Sequence, residues 1–174
     1  MERTKIAQEW FELYRDDVYH FLIYRMGTQD VEDLLQEVFI RAIRGLDTYQ
    51  HRANPKTWLF SIARNLSIDA IRKRSREKWK IEKWFQSSEA AESPEAGKSS
   101  DEILQLNEAN QSLYDAIQRL KPNYKDAVIL RGIKELSILE TSAILNWNED
   151  KVRNTYHRAL KALQKELKGE LRDE

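Results

Sequence analysis

Two stretches of this chain bring aromatic, amide and cationic side chains together at helical spacing. The first runs over residues 54–83 and reads N-P-K-T-W-L-F-S-I-A-R-N-L-S-I-D-A-I-R-K-R-S-R-E-K-W-K-I-E-K. On a helical wheel Leu59, Ile62, Ala63, Leu66 and Ala70 form an apolar stripe, and Trp58, Ser61, Arg64, Asn65 and Arg72 lie away from it. A basic end follows, in which Arg72, Lys73, Arg74, Arg76, Lys78, Lys80 and Lys83 face only Glu77 and Glu82. An aromatic ring stacks on a base, Asn and Arg hydrogen-bond base edges, and cations neutralise phosphates. The same residues also fit an amphipathic helix with a solvated basic end. Just upstream, Tyr49, His51, Arg52 and Asn54 sit in a segment without apolar period, a polar loop able to stack on or hydrogen-bond an unpaired base.

The second stretch lies near the other end. Ser137 with Glu140 makes a capping box for a short helix, residues 146–148 (N-W-N) make a turn, and a long helix follows. That order has the form of a helix-turn-helix. Ala143 is expected to let the second helix approach closely, and Val152, Tyr156, Ala159, Leu160 and Leu163 to face inward. The outer face then carries Lys151, Arg153, Asn154, His157, Arg158 and Lys161, suited to base edges and phosphates in a major groove. A plain helical hairpin with a solvated basic face is the alternative.

The remaining elements must position these two faces. Residues 6–26 read as a helix stopped by Gly27, with Trp10, Leu13, Tyr14 and Val18 at core spacing. Thr28 or Asp30 caps a second helix reaching to about Gly45, whose stripe is Val31, Leu34, Leu35, Val38, Phe39 and Ala42. Its other face has Asp33, Gln36, Glu37 and Ile40, either a solvated face or a docking surface for a basic partner. The long basic helix reaches to about Phe85. Residues 86–100, rich in Ser and Ala with Pro94, Gly97 and three glutamates, read as a flexible acidic linker. Asp101 caps a helix ending near Leu120, and a short one spans residues 123–133.

Composition narrows the function. Few breakers (five Gly, three Pro) and 33% charged residues indicate an all-α protein of two small helical domains joined by a flexible linker. There is no cysteine, and His20, His51 and His157 are scattered, so no thiolate or histidine metal site is expected, and no cofactor. Neither a nucleophile–base pair nor a glycine-rich phosphate loop is visible, so no catalytic residues are assigned. No apolar run has membrane-span length and the N-terminus lacks a signal h-region, which implies a cytoplasmic protein. Formal net charge is zero. For a nucleic-acid binder that implies weak DNA binding by the chain alone.

Four motifs, in this order, carry a family resemblance: D-V-E-D-L-L-Q-E-V-F-I-R-A (residues 30–42), K-T-W-L-F-S-I-A-R-N-L-S-I-D-A-I-R-K-R (56–74), A-I-Q-R-L-K-P-N-Y-K-D-A-V-I-L-R (116–131) and L-S-I-L-E-T-S-A-I-L-N-W-N-E-D-K-V-R-N-T-Y-H-R-A-L-K-A-L (136–163). With them the chain resembles the extracytoplasmic-function sigma factors of the sigma-70 family. The resemblance implies sigma region 2 over residues 1–85, a linker over 86–102 and sigma region 4 over 103–170. It implies that Asp33, Gln36, Glu37 and Ile40 dock on core RNA polymerase. It implies that Tyr49, His51, Arg52, Asn54, Trp58, Ser61, Arg64, Asn65 and Arg72 bind the promoter −10 element. The face from Lys151 to Lys161 would bind the −35 element. Promoter-directed transcription initiation, in a stress regulon, is the implied function. An anti-sigma factor, membrane-anchored in many cases, is the implied regulator. Two departures stand out. Asn146 stands where family members often have glycine, and Asn154-Thr155-Tyr156 where they often have Ser-Arg-Leu, so no −35 sequence preference transfers. Two rival readings are a dimeric helix-turn-helix regulator on a palindrome and a helical adaptor that binds only protein.

Overall fold

The structure, a computed structural model, describes residues 2–49, 54–87 and 108–170. Every element among them is helical: α1 (Glu2–Met26), α2 (Glu32–Arg44), α3 (Pro55–Ser87), α4 (Glu108–Gln118), α5 (Pro122–Ala127), α6 (Ile138–Leu145) and α7 (Glu149–Glu170). A π-helical turn, Val128–Ile133, prolongs α5. The all-α expectation holds. Residues 88–107, which include most of the expected linker and Asp101, the expected cap of the following helix, lie outside the described residues. Gln86 and Ser87, expected in the linker, still belong to α3.

The first unit packs α1, α2 and α3 around Val18, Phe21, Leu22, Leu35, Val38, Leu59, Phe60 and Ala63, all nearly or fully buried. Gly27 adopts φ +68° and ends α1, a conformation glycine takes without a Cβ penalty. Val31, not Thr28 or Asp30, occupies the N-cap of α2, with no side-chain cap bond. Leu13, expected inward, is exposed.

The second unit packs α4, α5 and α6 against α7 through Ile117, Ile129, Ile144, Leu145, Val152 and Ala159. The Ser137–Glu140 capping box is present in both directions, at 3.0 and 3.1 Å. Replacing Ser137 by alanine removes one of those bonds and should lower stability by about 1 kcal/mol in denaturant titration. Asn146 ends α6 in the left-handed region (φ 56°, ψ 42°), the conformation glycine would otherwise supply. Ala143 and Leu160 prove exposed. The inner positions of α6 go instead to Thr141, Ile144 and Leu145.

The two units pack directly on each other, and one apolar cluster runs through both. This second layer on α3 explains why its buried face is wider than the predicted stripe. Phe60, Thr57 and Ser67 are buried as well.

Candidate nucleic-acid interface

The α3 face has its own foundation. Asn54 Oδ1 accepts a hydrogen bond from Lys56 N at 2.9 Å, so this side chain caps α3. Trp58 is wedged among rings, edge-on to Trp10 at 5.8 Å and 5.0 Å from Tyr49. Gly45, at the end of α2, makes room for it, since a Cβ there would lie 3.1 Å from Trp58 Cζ2. Tyr49 is buried, 5.3 Å from Trp10. Burial raises its phenol pKa. In the free chain Tyr49 is part of the aromatic core and Asn54 is a helix cap. His51 and Arg52 lie outside the described residues.

Beyond the ring cluster, Ser61 is half-buried and its hydroxyl donates to Thr57 O at 3.1 Å. Asn65 and Arg72 are exposed. Arg64, on the same side of the helix, does not face solvent freely. Its Nε lies 3.3 Å from Asp126 Oδ2, on α5 of the other unit.

Asp126 is the centre of the contact between units. Its Oδ1 lies 2.9 Å from Arg25 Nε at the end of α1. Side-chain exposure is 8% for Arg25, 2% for Asp126 and 18% for Arg64. Burial pushes the Asp126 carboxyl above its usual range, against the pull of Arg25 and Arg64. Further polar links between the units flank this triad. Asp17 receives Lys56 from α3 at 3.2 Å and Lys134 from the second unit at 3.3 Å. Burial works against its ionised form, but Lys134 and Lys56 outweigh that and lower its pKa. Thr57 donates to Glu140 at 3.3 Å. Tyr114 and Gln118 of α4 donate to the carbonyls of Ile23 and Tyr24, at 3.2 and 2.8 Å. The Gln118 bond satisfies the Tyr24 carbonyl at the end of α1, while Ile23 O also accepts from Gly27 N at 3.0 Å.

Lys125 sits beside this seam and donates to Gln118 Oε1 at 2.6 Å. Burial and the Arg25 charge lower its pKa from 10.5 to about 8, with Asp126 acting the other way. The sign follows from proton linkage. The unfolded chain binds the Lys125 proton more tightly, so the penalty is full below about pH 8 and is lifted as pH rises toward 10.5. Melting temperature should therefore gain between pH 7 and 9 relative to a Lys125→Met variant. A constant difference between the two across that range would contradict this.

The α7 face is open. Lys151, Arg153, Asn154, His157, Arg158 and Lys161 are all exposed and span an arc of roughly 160° at 100° per residue. Val152, Ala159 and Leu163 hold the opposite side. Asn148 Oδ1 accepts from Lys151 N at 2.8 Å and caps the helix, a role the turn composition did not single out. Lys151 Nζ stands 4.5 Å from the Trp147 ring centre. Arg153 is held by Glu149 and Asp150, each at 3.2 Å.

On α2, Asp33 and Gln36 are exposed, Glu37 pairs with Arg41 at 3.0 Å, and Ile40 is 41% exposed. Ile43, one turn on, is equally exposed and extends the patch. The sequence signal for Ile43 was its i+3 spacing from Ile40.

The two units correspond to two defined regions of one protein class. The family model described as Sigma-70 region 2 matches residues 10–77, and that described as Sigma-70, region 4 matches residues 110–163. The ECF RNA polymerase sigma factor SigX of Bacillus subtilis is 35% identical, over 100% of this chain and 90% of SigX. SigM of the same organism is 34% identical, over 90% of this chain and 91% of SigM. Among solved structures, the sigma factor RpoE in complex with the anti-sigma factor NepR from Bartonella quintana superposes with a TM-score of 0.71. It shares 28% identity, over 94% of this chain and 98% of that one. The chain belongs to the ECF RNA polymerase sigma factors.

Proposed function

We propose that this chain joins core RNA polymerase in the cytoplasm, directs it to promoters by binding −10 and −35 elements, and performs no catalysis itself. A stress regulon fits the family. One observation carries the reading: two exposed polar, cationic faces, on α3 and on α7, stand on separate helical units of the two sigma regions. In this reading Asn65 and Arg72, with Ser61 and Arg64, contact the −10 strand. Trp58 supports them from the ring cluster, and His51 and Arg52 act from the preceding loop. Lys151, Arg153, Asn154, His157, Arg158 and Lys161 enter the −35 major groove. Asp33, Gln36, Glu37 and Ile40 dock on the polymerase. Region boundaries at residues 1–85 and 103–170 follow from the same assignment.

The two elements lie about 25 base pairs apart, roughly 85 Å of duplex at about 3.4 Å per pair. Two units in direct contact do not span that distance. The contacts of Asp126, Asp17 and Glu140 describe a closed chain, and engaging both elements separates them. Closure also keeps Arg64 on Asp126 rather than on DNA, which agrees with weak DNA binding by the free chain. An anti-sigma factor that binds the closed chain would stabilise it by mass action. In mobility shift at physiological salt, promoter duplex should be retained by chain plus core polymerase and not by the chain alone. Tight, specific retention by the chain alone, as a dimer on a palindrome, would favour the helix-turn-helix regulator instead.

A further inference from the structure

The seam between the two units carries more positive charge than it neutralises. A concavity there is lined by Arg25 and Met26 at the end of α1, by Ile71, Arg74, Ser75 and Lys78 on α3, and by Lys125 on α5. Four of the seven lining residues are cations and none is an acid. Arg25 is committed to Asp126. Among the described residues no carboxylate lies at ion-pair distance from Arg74, Lys78 or Lys125. The partner of Lys125 is the neutral Gln118.

Arg74 and Lys78 are exposed on the first unit and Lys125 stands across the seam on the second, so cations from both units meet at a cleft whose lining holds no acid. An anion placed between them is attracted from both units at once. The chloride of ordinary buffer neutralises one charge at most. A small multivalent phosphate matches all three, offers several acceptor oxygens to guanidinium and ammonium donors, and gains from the reduced dielectric of the seam. We propose that a small polyphosphate-type anion binds between Arg74, Lys78 and Lys125 and holds the two units together.

Such an anion binds the closed chain and loses its third cation when the units part. By linkage it favours closure and opposes the separation that promoter engagement requires. That consequence rests on the open–closed reading above. The anion site itself does not.

Pyrophosphate is a suitable probe. The full chain is titrated with it calorimetrically, against sodium chloride at matched ionic strength. In parallel, energy transfer is read between dyes on Arg44→Cys and Lys168→Cys, exposed positions on α2 and α7 of a chain with no cysteine of its own. Saturable binding is expected, with higher melting temperature and higher transfer. Arg74→Ala with Lys78→Ala, exposed positions on α3, should weaken binding roughly tenfold or more without lowering the melting temperature in the absence of anion. Lys125→Met should weaken it similarly. Absence of saturable binding, a response equal to chloride, or a response unchanged in the Arg74/Lys78 variant overturns the site. If short duplex DNA competes with pyrophosphate while transfer stays high, the groove takes backbone phosphate in the closed chain, and the small-anion assignment fails. Adding core polymerase separates the two claims. If polymerase leaves transfer unchanged while pyrophosphate still binds, the anion site stands and the open–closed reading falls.

Discussion

Asp126→Ala is expected to open the chain. The substitution leaves Arg25 buried without a partner and frees Arg64 from α5. Breaking a buried charged pair by removing one member costs about 3–5 kcal/mol. The lower part of that range applies here, because Arg64 reaches solvent and keeps its hydration. The loss falls on the contact between units, since Asp126 bridges both arginines across it. Each unit keeps its own core: Val18, Phe21, Leu35 and Leu59 in one, Ile117, Ile144, Val152 and Ala159 in the other. Energy transfer between dyes on α2 and α7 should fall while circular dichroism stays helical. The opened variant should also bind promoter duplex more tightly than the parent, because Arg64 is released from Asp126. Asp126→Asn keeps the shape and removes the charge, and should act in the same direction. Unchanged transfer with both variants would show that apolar packing alone closes the chain.

Asn65→Ala is expected to impair promoter opening while leaving polymerase binding unaltered. Asn65 is exposed on α3, so its loss removes a contact without creating a cavity. A lost base contact of this kind weakens recognition by about 1–3 kcal/mol, roughly 5- to 150-fold. Permanganate footprinting of the melted strand, beside a core-binding titration, reads the two effects separately. Trp58→Ala gives a different result. Trp58 holds Trp10, Tyr49 and the end of α2 together, so its truncation also loosens the first unit. Parallel loss of core affinity and melting with Asn65→Ala would assign that residue a structural role.

The fold was legible where local rules decide it. Gly27, the Ser137–Glu140 box and Asn146 act within one or two turns, and each does in space what its chemistry predicts. The α7 face was legible for the same reason: one helix sorts Val152 and Ala159 inward and Lys151 to Lys161 outward by period alone. The α3 face was legible only in part. Its period correctly put Asn65 and Arg72 outside. It could not show that Arg64 meets Asp126, 62 residues on, or that Tyr49 joins Trp10 across the first unit. Both are long-range contacts that no spacing encodes. Asp126 itself, in the stretch Y-K-D-A-V, carries a faint signal as an acid flanked by residues that bury. The exposure of Ala143 and Leu160 shows the converse limit, since apolar identity does not establish burial.

This chain confers promoter-specific initiation on core polymerase. Run-off transcription with purified core polymerase over a library of promoter templates tests it most directly. Transcripts are expected from a defined subset of templates only when the chain is present, with loss when Asn65, Arg153 or Asn154 is replaced by alanine. Transcription that does not depend on the chain on any template, with core binding intact, would contradict it.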